Sequence, residues 1–323
     1  MKPQALLTRR VPAAVFDRLS DVCDVDLFEG TGAIPRPELI RRVAGKDALV
    51  CLLTDRIDRE VLEAGTNLRI VANIAVGYDN VDVRQAASRG IVVTNTPNVL
   101  TEATAELTWA LILAAARRVT EGDRVVRAGK WRGWALDYML GMELRGKQLG
   151  LVGLGRIGAA VASRAPAFGM TVAAFAPPGR ARKRRSAQPV PDVALMPLED
   201  LLRTSDVVSL HVPLTPETKH LIDRKALTRM KRSAYLVNTS RGPVVDEGAL
   251  AWALGQRLIA GAALDVYERE PEVHPGLLGL EHVVLAPHLG SATTETRTAM
   301  ADLAVSNVLA VLDGKPPMTA VSA

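Results

Sequence analysis

The stretch that decides the fold is Gly153-Leu154-Gly155-Arg156-Ile157-Gly158. It follows the apolar run Leu149 to Val152 and opens the small-residue segment Ala159 to Ala162. This order predicts a strand, a tight glycine turn and a helix start, where backbone N–H groups and the positive end of the helix receive a pyrophosphate. Glycine-rich turns also arise wherever a strand packs closely on the following helix, so the surrounding sequence has to decide between the two interpretations.

The next predicted strand, residues 171–175, ends at Ala176, where a dinucleotide-binding fold places the residue that faces the adenosine ribose. Proteins that prefer NAD usually have Asp or Glu here, because a carboxylate bonds the ribose 2′-OH and repels a 2′-phosphate. In this chain the acid is missing, and five cations follow: Arg180, Arg182, Lys183, Arg184 and Arg185. They form either a solvated loop or a 2′-phosphate clamp. We favour the clamp, because Arg binds phosphate through paired hydrogen bonds, and this predicts NADP(H) as the preferred cofactor, with NAD(H) as the alternative.

Composition excludes several classes of protein. A chain of 323 residues with 48% hydrophobic residues is long enough for two domains with full cores. The net charge of +5 is modest and aromatic residues make up 4%, so we expect no nucleic-acid partner. Cys23 and Cys51 have neither metal-ligand spacing nor a disulfide framework, which predicts reduced thiols and no metal site. Leu107 to Ala116 is too short to cross a bilayer and the N-terminus lacks a signal-peptide core, so we expect a cytoplasmic protein with no membrane partner.

Short apolar runs alternate with helical patterns along the whole chain. The predicted strands lie near residues 5–8, 25–28, 48–53, 70–75 and 91–94, and then near 148–152, 171–175, 207–212, 235–238, 259–266 and 283–286. This rhythm is typical of parallel sheets with helices on both faces. The predicted fold class is therefore α/β, with two Rossmann-like, doubly wound parallel-sheet domains.

The order of the segments predicts a discontinuous N-terminal domain. A helix near residues 295–312 follows the second series of strands and is free to pack back on the first domain. We expect residues 1–100 and 288–323 to form a flavodoxin-like substrate domain, and residues 101–287 to form the dinucleotide-binding domain.

Three polar groups follow strands of the second predicted domain. They are Asn238-Thr239-Ser240-Arg241-Gly242, Leu264-Asp265-Val266-Tyr267-Glu268-Arg269-Glu270-Pro271 and Pro287-His288-Leu289-Gly290-Ser291. Open α/β sheets bind ligands at the carboxyl ends of their strands. We therefore expect an Arg, a Glu and a His from separate strand ends to converge on one site.

These motifs and the glycine turn resemble the D-isomer-specific 2-hydroxyacid dehydrogenases, and within them the glyoxylate/hydroxypyruvate and 2-ketoaldonate reductases. The resemblance covers nearly the whole chain, including Ala75 to Asn80 and Thr96 to Glu102. It implies an oxidoreductase that reduces a small 2-oxo acid to the 2-hydroxy acid, and a homodimer. The alternatives are a 2-ketogluconate reductase, another D-2-hydroxyacid dehydrogenase, or a dinucleotide-sensing corepressor-like protein on the same fold. The 3-phosphoglycerate dehydrogenases with a regulatory extension fit less well, because no extension follows Gly314, and formate dehydrogenases lack the acidic partner of the histidine.

The resemblance also implies roles for individual residues. Arg241 would bind the substrate carboxylate through its planar fork. His288 would protonate the carbonyl oxygen, and Glu270 would hold the imidazole and favour its protonated form. The backbone N–H groups of Val76 and Gly77 would also bind the carboxylate, and Leu53 would line the substrate pocket. The implied cofactor-lining positions are the six residues of the glycine turn, Ala176, Arg180 and Arg182, together with Thr104, His211, Pro213, Thr218, Thr239, Ser240, Asp265 and Gly290.

Simpler interpretations exist for single residues. Arg241 alone fits a surface helix cap and His288 alone a core histidine, but both with Glu270 in the family's order favour the catalytic interpretation. We interpret His220, His274 and His282 as structural or surface residues. Trp131 and Trp134 fit a dimerisation arm and core packing equally well.

Overall fold

The chain divides into two units in the computed structural model, which describes residues 2–176 and 192–322. The first unit comprises Met1–Leu100 and Thr293–Ala323, and the second comprises Thr101–Ala292.

A five-stranded sheet forms the centre of the first unit. Its strands are β1 (Gln4–Leu7), β2 (Asp24–Leu27), β3 (Ala48–Cys51), β4 (Ile70–Asn73) and β5 (Val92–Thr94). All pairs are parallel, in the order β2-β1-β3-β4-β5. Strands β3 and β4 are buried along their whole length. Apolar cores lie on both faces of this sheet, which explains why these strands are nearly continuous apolar runs.

Four helices connect these strands. They are α1 (Ala13–Val22), α2 (Arg36–Val43), α3 (Arg59–Ala64) and α4 (Val83–Ser88). Helix α1 buries Val15 and Leu19, which lie one helical turn apart. The side chain of Asp82 caps α4 by accepting a hydrogen bond from the N–H of Gln85 at 2.9 Å.

The second unit begins with two helices and continues into a seven-stranded parallel sheet. The helices are α5 (Thr101–Ala116) and α6 (Val119–Arg127). The strands are β6 (Gln148–Val152), β7 (Thr171–Phe175), β8 (Val193–Leu195), β9 (Val207–Leu210), β10 (Tyr235–Asn238), β11 (Gly261–Leu264) and β12 (Val283–Leu285). The remaining helices of this unit are α7 (Arg156–Arg164), α8 (Leu198–Thr204), α9 (Arg224–Arg229), α10 (Glu247–Gly255) and α11 (Pro275–Leu278).

The strand order of this sheet determines where a ligand binds. The order is β12-β11-β10-β9-β6-β7-β8, so the chain runs outward from β6 in one direction and then returns to β9 on its other side. The carboxyl ends of β6 and β9 therefore flank the topological switch point, which is the usual ligand crevice of an open α/β sheet.

The chain returns to the first unit through α12 (Thr294–Leu312), whose first turn is capped by the side chain of Thr293. Helix α12 packs against α1 and β4, and Arg18 of α1 forms an ion pair with Asp302. The sequence analysis predicted the return at His288, and the structure divides the two units between Ala292 and Thr293. Residues 288–290 remain in the second unit because their N–H groups donate hydrogen bonds to Asp265.

The predicted fold class is confirmed, since both sheets are parallel and helices connect their strands. The sequence analysis did not predict β8, α3, α4 or the helices α8 to α11, which are short. None of the helices within the described residues has both the length and the apolar character that a membrane span requires.

Candidate active site

The glycine turn between β6 and α7 has the geometry of a phosphate-binding loop. Gly153 has φ +103°, and a Cβ atom there would lie 2.8 Å from the carbonyl carbon and oxygen of His211. At Gly158 a Cβ would lie 2.3 Å from the carbonyl oxygen of Gly153, so only glycine lets helix and turn pack this closely. Among the described residues, no atom beyond its two chain neighbours lies within 4 Å of the Cβ position at Gly155, so in that part of the chain the N-terminus of the nine-residue α7 is open to a ligand. These residues fit a dinucleotide pyrophosphate.

The other residues of the turn divide between core and surface. Leu154 and Ile157 are partly buried and pack against the core of the second unit, while Arg156 is exposed. Their side chains therefore hold the turn in place, and the backbone N–H groups are the groups suited to a phosphate.

Three predicted cofactor-lining residues, His211, Pro213 and Thr218, follow β9 and form local hydrogen bonds. The Nε2 atom of His211 lies 2.9 Å from the hydroxyl of Ser209, and burial lowers the pKa of His211 to about 3. His211 is therefore neutral at physiological pH and contributes no positive charge to the site. The buried hydroxyl of Thr218 donates to the carbonyl oxygen of Pro213 at 2.6 Å, which shapes the turn that follows β9.

Buried threonines connect α5 to the loops at the carboxyl edge of the second sheet. The hydroxyl of Thr104 donates to the carbonyl oxygen of Gly290 at 3.0 Å. The hydroxyl of Thr108 lies 2.9 Å from that of Thr239, the first residue after β10. These contacts give Thr104 and Thr239 a structural role at the edge of the predicted cofactor site.

Asp265 follows β11 and holds the turn that carries His288. Its carboxylate oxygens accept hydrogen bonds from the N–H groups of Leu289 at 2.6 Å and Gly290 at 2.8 Å. Its carbonyl oxygen accepts a third from the N–H of His288 at 2.9 Å. Burial raises the pKa of Asp265, although these amide hydrogen bonds and the neighbouring His288 oppose the rise. Asp265 was predicted to line the cofactor site, and its contacts among the described residues are to the chain itself.

His288 and Glu270 form a hydrogen-bonded pair. The Nδ1 atom of His288 lies 2.8 Å from Oε2 of Glu270, and Oε1 of the same carboxylate accepts the N–H of Tyr267 at 3.1 Å. Burial by itself would raise the pKa of Glu270, but the hydrogen bond and charge of His288, with a smaller effect of Arg241, hold it below its usual value. The carboxylate is therefore ionised at neutral pH. His288 has φ +55°, a left-handed conformation that the bonds to Asp265 maintain.

The loop of Arg241 after β10 is held by the side chain of Asn238. The Nδ2 group of Asn238 donates to the carbonyl oxygen of Arg241 at 3.0 Å, and its Oδ1 accepts from the N–H and the hydroxyl of Ser240 at 3.0 and 2.8 Å. A Cβ atom at Gly242 would lie 1.8 Å from the carbonyl carbon of Tyr267. The loop that carries Arg241 thus packs directly on the loop that carries Glu270.

The predicted substrate-binding residues of the first unit lie after β3 and β4. Leu53 is half-buried in the turn after β3. The carbonyl oxygens of Val76 and Gly77 accept hydrogen bonds from the side chains of Asn95 at 2.8 Å and Asn73 at 2.9 Å. Within residues 2–176 and 192–322, neither the N–H of Val76 nor that of Gly77 donates a hydrogen bond, so both are available to an anion.

The predicted phosphate clamp is described only at its start. Ala176 is half-buried directly after β7. Arg180, Arg182 and the three cations that follow lie outside the described residues.

The sequence analysis quoted Asn238 only as part of the motif with Arg241, and it did not single out Glu247, whose carboxylate accepts the N–H groups of Glu268 and His274. Asn238 at a strand end, two residues before Ser240, matches the side-chain-to-backbone turn that Asn commonly forms, and this signal was available. No local pattern distinguishes Glu247 from an exposed acid in the first turn of a helix.

The fold and the glycine turn together define a dinucleotide-binding protein. Residues 109–290 match the family described as D-isomer specific 2-hydroxyacid dehydrogenase, NAD binding domain. The chain is 51% identical to a glyoxylate reductase of Korarchaeum cryptofilum, over 100% of this chain and 96% of that protein. It is 47% identical to a glyoxylate reductase of Pyrococcus horikoshii, over 100% of this chain and 96% of that protein.

Solved structures agree with this match. An NADPH-dependent glyoxylate/hydroxypyruvate reductase of Sinorhizobium meliloti, in complex with NADP and malonate, is 34% identical with a TM-score of 0.85 over 100% of this chain and 97% of that chain. The chain therefore belongs to the D-isomer-specific 2-hydroxyacid dehydrogenase family, whose members are NAD(P)-dependent oxidoreductases. The predicted family and the predicted nicotinamide dinucleotide cofactor are confirmed.

Proposed function

We propose that this enzyme reduces a small 2-oxo acid, such as glyoxylate or hydroxypyruvate, to the 2-hydroxy acid, with NADPH as the preferred reductant. The observation that carries the proposal is the 2.8 Å contact between His288 and Glu270. The loop that carries Glu270 packs against the loop that carries Arg241. Reduction of a 2-oxo acid requires a proton donor and a cation that binds the carboxylate, and these residues supply both. The glyoxylate reductases that are 51% and 47% identical in sequence to this chain support the substrate class.

The residues divide the chemistry in the following way. Arg241 binds the substrate carboxylate with paired hydrogen bonds. The nicotinamide, when bound, supplies the hydride for the carbonyl carbon. His288 uses Nδ1 to contact Glu270, which leaves Nε2–H to give its proton to the carbonyl oxygen, so that the product is the neutral alcohol group. The roles expected of Val76 and Gly77 at a carboxylate, and of Leu53 in limiting the size of the substrate, stay predictions.

The proposal is tested by assaying a panel of 2-oxo acids with NADPH and with NADH. The loss of nicotinamide absorbance measures the oxidation of each cofactor. We expect turnover of glyoxylate and hydroxypyruvate, and a higher kcat/KM with NADPH. The same panel includes 2-ketogluconate, which tests the alternative substrate. Absence of turnover with every 2-oxo acid, while NADPH binding persists, would reject the proposed reaction.

In the proposal, the preference for NADPH over NADH depends on Ala176. Ala176→Asp should shift the ratio of kcat/KM values toward NADH by roughly tenfold or more, because a carboxylate bonds a ribose 2′-OH and repels a 2′-phosphate. Ala176→Asn is the matched control, since it adds the same volume without the charge. Measurements at low and raised salt separate the charge effect from a steric one. Equal preference for the two cofactors in the wild-type enzyme would contradict the predicted phosphate clamp.

The pH dependence tests the pairing of His288 with Glu270. Reduction needs the protonated imidazole, so its rate should be constant at low pH and fall as the pH rises and His288 loses its proton. Glu270→Gln removes the negative charge that favours the imidazolium and should move this fall to lower pH. Arg241 and Asp265, the other charged groups that act on the pair, stay unchanged. A profile identical to that of the wild type would contradict the assigned pairing.

We also propose a homodimer formed through the segment after α6. Trp134 and Leu136 are 81% and 83% exposed, and Trp131 and Leu140 are also exposed, so these side chains do not pack into the core of their own chain. Several large exposed apolar side chains within one short segment are typical of a protein interface. Sedimentation equilibrium should give the mass of two chains, and a monomer at micromolar concentration would contradict the proposal.

A further inference from the structure

Glu247 is a buried carboxylate that the proposed reaction does not use. It is the first residue of α10 and is 4% exposed. An ionised carboxylate is rarely buried unless hydrogen bonds compensate the loss of water. Its partners therefore indicate what it stabilises.

Both oxygens of Glu247 accept backbone hydrogen bonds from the loop between β11 and α11. Oε1 accepts the N–H of Glu268 at 2.6 Å, and Oε2 accepts the N–H of His274 at 3.2 Å. The contact is reciprocal, because Oε2 of Glu268 accepts a hydrogen bond from the backbone N–H of Glu247 at 3.3 Å. Glu270 lies between the two anchored amides, so Glu247 holds both ends of the segment that carries it.

Glu268 connects the same segment to the loop of Arg241. Its Oε1 lies 2.5 Å from Nε2 of His220, whose own N–H donates to the carbonyl oxygen of Pro243 at 2.8 Å. Pro243 follows Gly242, which packs on the Tyr267–Glu268 peptide. The pair Glu247 and Glu268 thus joins the two loops that present Arg241 and Glu270.

The chemistry of these contacts requires a carboxylate at position 247. An ionised carboxylate only accepts hydrogen bonds, so it can bind two N–H donors at once. A glutamine amide has one accepting oxygen, and its NH₂ group would face the N–H of Glu268 or of His274. Position 247 in the first turn of α10 also favours a negative charge.

We propose that Glu247 is a positioning residue, which acts through Glu270 to hold His288 in its proton-donating orientation. The inference rests on the proposed function, since it concerns the same histidine. It adds a residue that touches neither substrate nor cofactor and that acts only through the loop it anchors.

The test compares Glu247→Gln, Glu270→Gln and the double variant in the full-length enzyme. We expect Glu247→Gln to lower kcat for reduction by roughly tenfold to a hundredfold, as expected for a small misplacement of a reacting group. We also expect it to move the pH profile in the same direction as Glu270→Gln. In the double variant, Glu247→Gln should add little to the effect of Glu270→Gln, because both changes act on one pathway.

Asp246→Ala is the matched control. The carboxylate of Asp246 caps α10 through the N–H of Ala249 at 2.8 Å, so its loss should lower thermal stability without moving the pH profile. Should Glu247→Gln fail to fold, Glu268→Gln leaves only one accepting oxygen for the N–H of Glu247 and for His220. This weakens the same anchored segment and should move the profile in the same direction by a smaller amount.

The outcomes separate the two hypotheses. An unchanged pH profile in Glu270→Gln would reject the proposed pairing itself. If the pH profile shifts in Glu270→Gln but not in Glu247→Gln, the positioning role alone is overturned. The same holds for Glu268→Gln where that variant replaces Glu247→Gln. Full additivity of Glu247→Gln and Glu270→Gln would overturn it as well.

Discussion

His288→Asn is expected to lower kcat for reduction of glyoxylate by about 10²–10⁴-fold, the usual contribution of a general acid. The variant loses the proton donor, while the hydrogen bonds that the N–H groups of residues 288–290 donate to Asp265 remain. Asparagine is the appropriate replacement because it tolerates the left-handed conformation of position 288, at φ +55°, better than most residues. Loss of activity can then be attributed to chemistry and not to a distorted turn.

The measurement is steady-state kcat alongside NADPH binding followed by fluorescence. Binding should change little, because the ring of His288 contacts Glu270, whereas the glycine turn is the part of the chain suited to the cofactor phosphates. His274→Asn is the control, since the ring of His274 caps α11 at the N–H of Gly276 and lies outside the proposed chemistry. Activity of His288→Asn within tenfold of the wild type would remove His288 from the role of proton donor.

Arg241→Lys is expected to raise KM for the 2-oxo acid and to lower kcat. Lysine keeps the charge but loses the planar fork that makes paired hydrogen bonds to a carboxylate. Loss of one hydrogen bond to a charged group costs about 1.5–3 kcal/mol, so kcat/KM should fall by about tenfold to a hundredfold. Binding of the cofactor should change little, because this role concerns the substrate.

Arg232→Lys provides a matched control near the opposite end of the same strand. Arg232 is exposed before β10 and donates to the carbonyl oxygen of Arg257 at 3.1 Å, whereas Arg241 follows the carboxyl end of β10. The control should show wild-type kinetics. If Arg241→Lys also keeps kcat/KM within a few-fold of the wild type, Arg241 does not bind the substrate.

Both predictions depend on loops that the protein holds by backbone hydrogen bonds. Asp265 anchors the turn of His288, Glu247 anchors the segment of Glu270, and Asn238 shapes the loop of Arg241. Each anchor is a buried polar side chain bonded to main-chain groups, which belong to a neighbouring loop for Asp265 and Glu247 and to its own loop for Asn238. Such contacts fix the reacting groups before substrate binds, which lowers the entropic cost of reaching the reactive geometry.

The fold could be predicted from the sequence because its signals are local. The spacing of Gly153, Gly155 and Gly158 after an apolar run requires a tight turn between strand and helix, whatever the rest of the chain does. Buried parallel strands such as β3 and β9 are short, nearly continuous apolar runs. The short helices α8 and α9 have weak periodicity over six or seven residues, which explains why they were not predicted.

The sequence by itself determined the fold class, the family and the residue types that carry the proposed chemistry, including Arg241, Glu270 and His288. Only the tertiary structure decided how these residues are held. Glu247 bonds to Glu268, and Gly242 packs against Tyr267. Each of these contacts joins segments more than twenty residues apart in the sequence. Such contacts depend on which strand ends become neighbours in the sheet, and no local pattern of side chains records that order. The neutral state of His211 has the same origin, because burial, which only the folded chain creates, lowers its pKa to about 3.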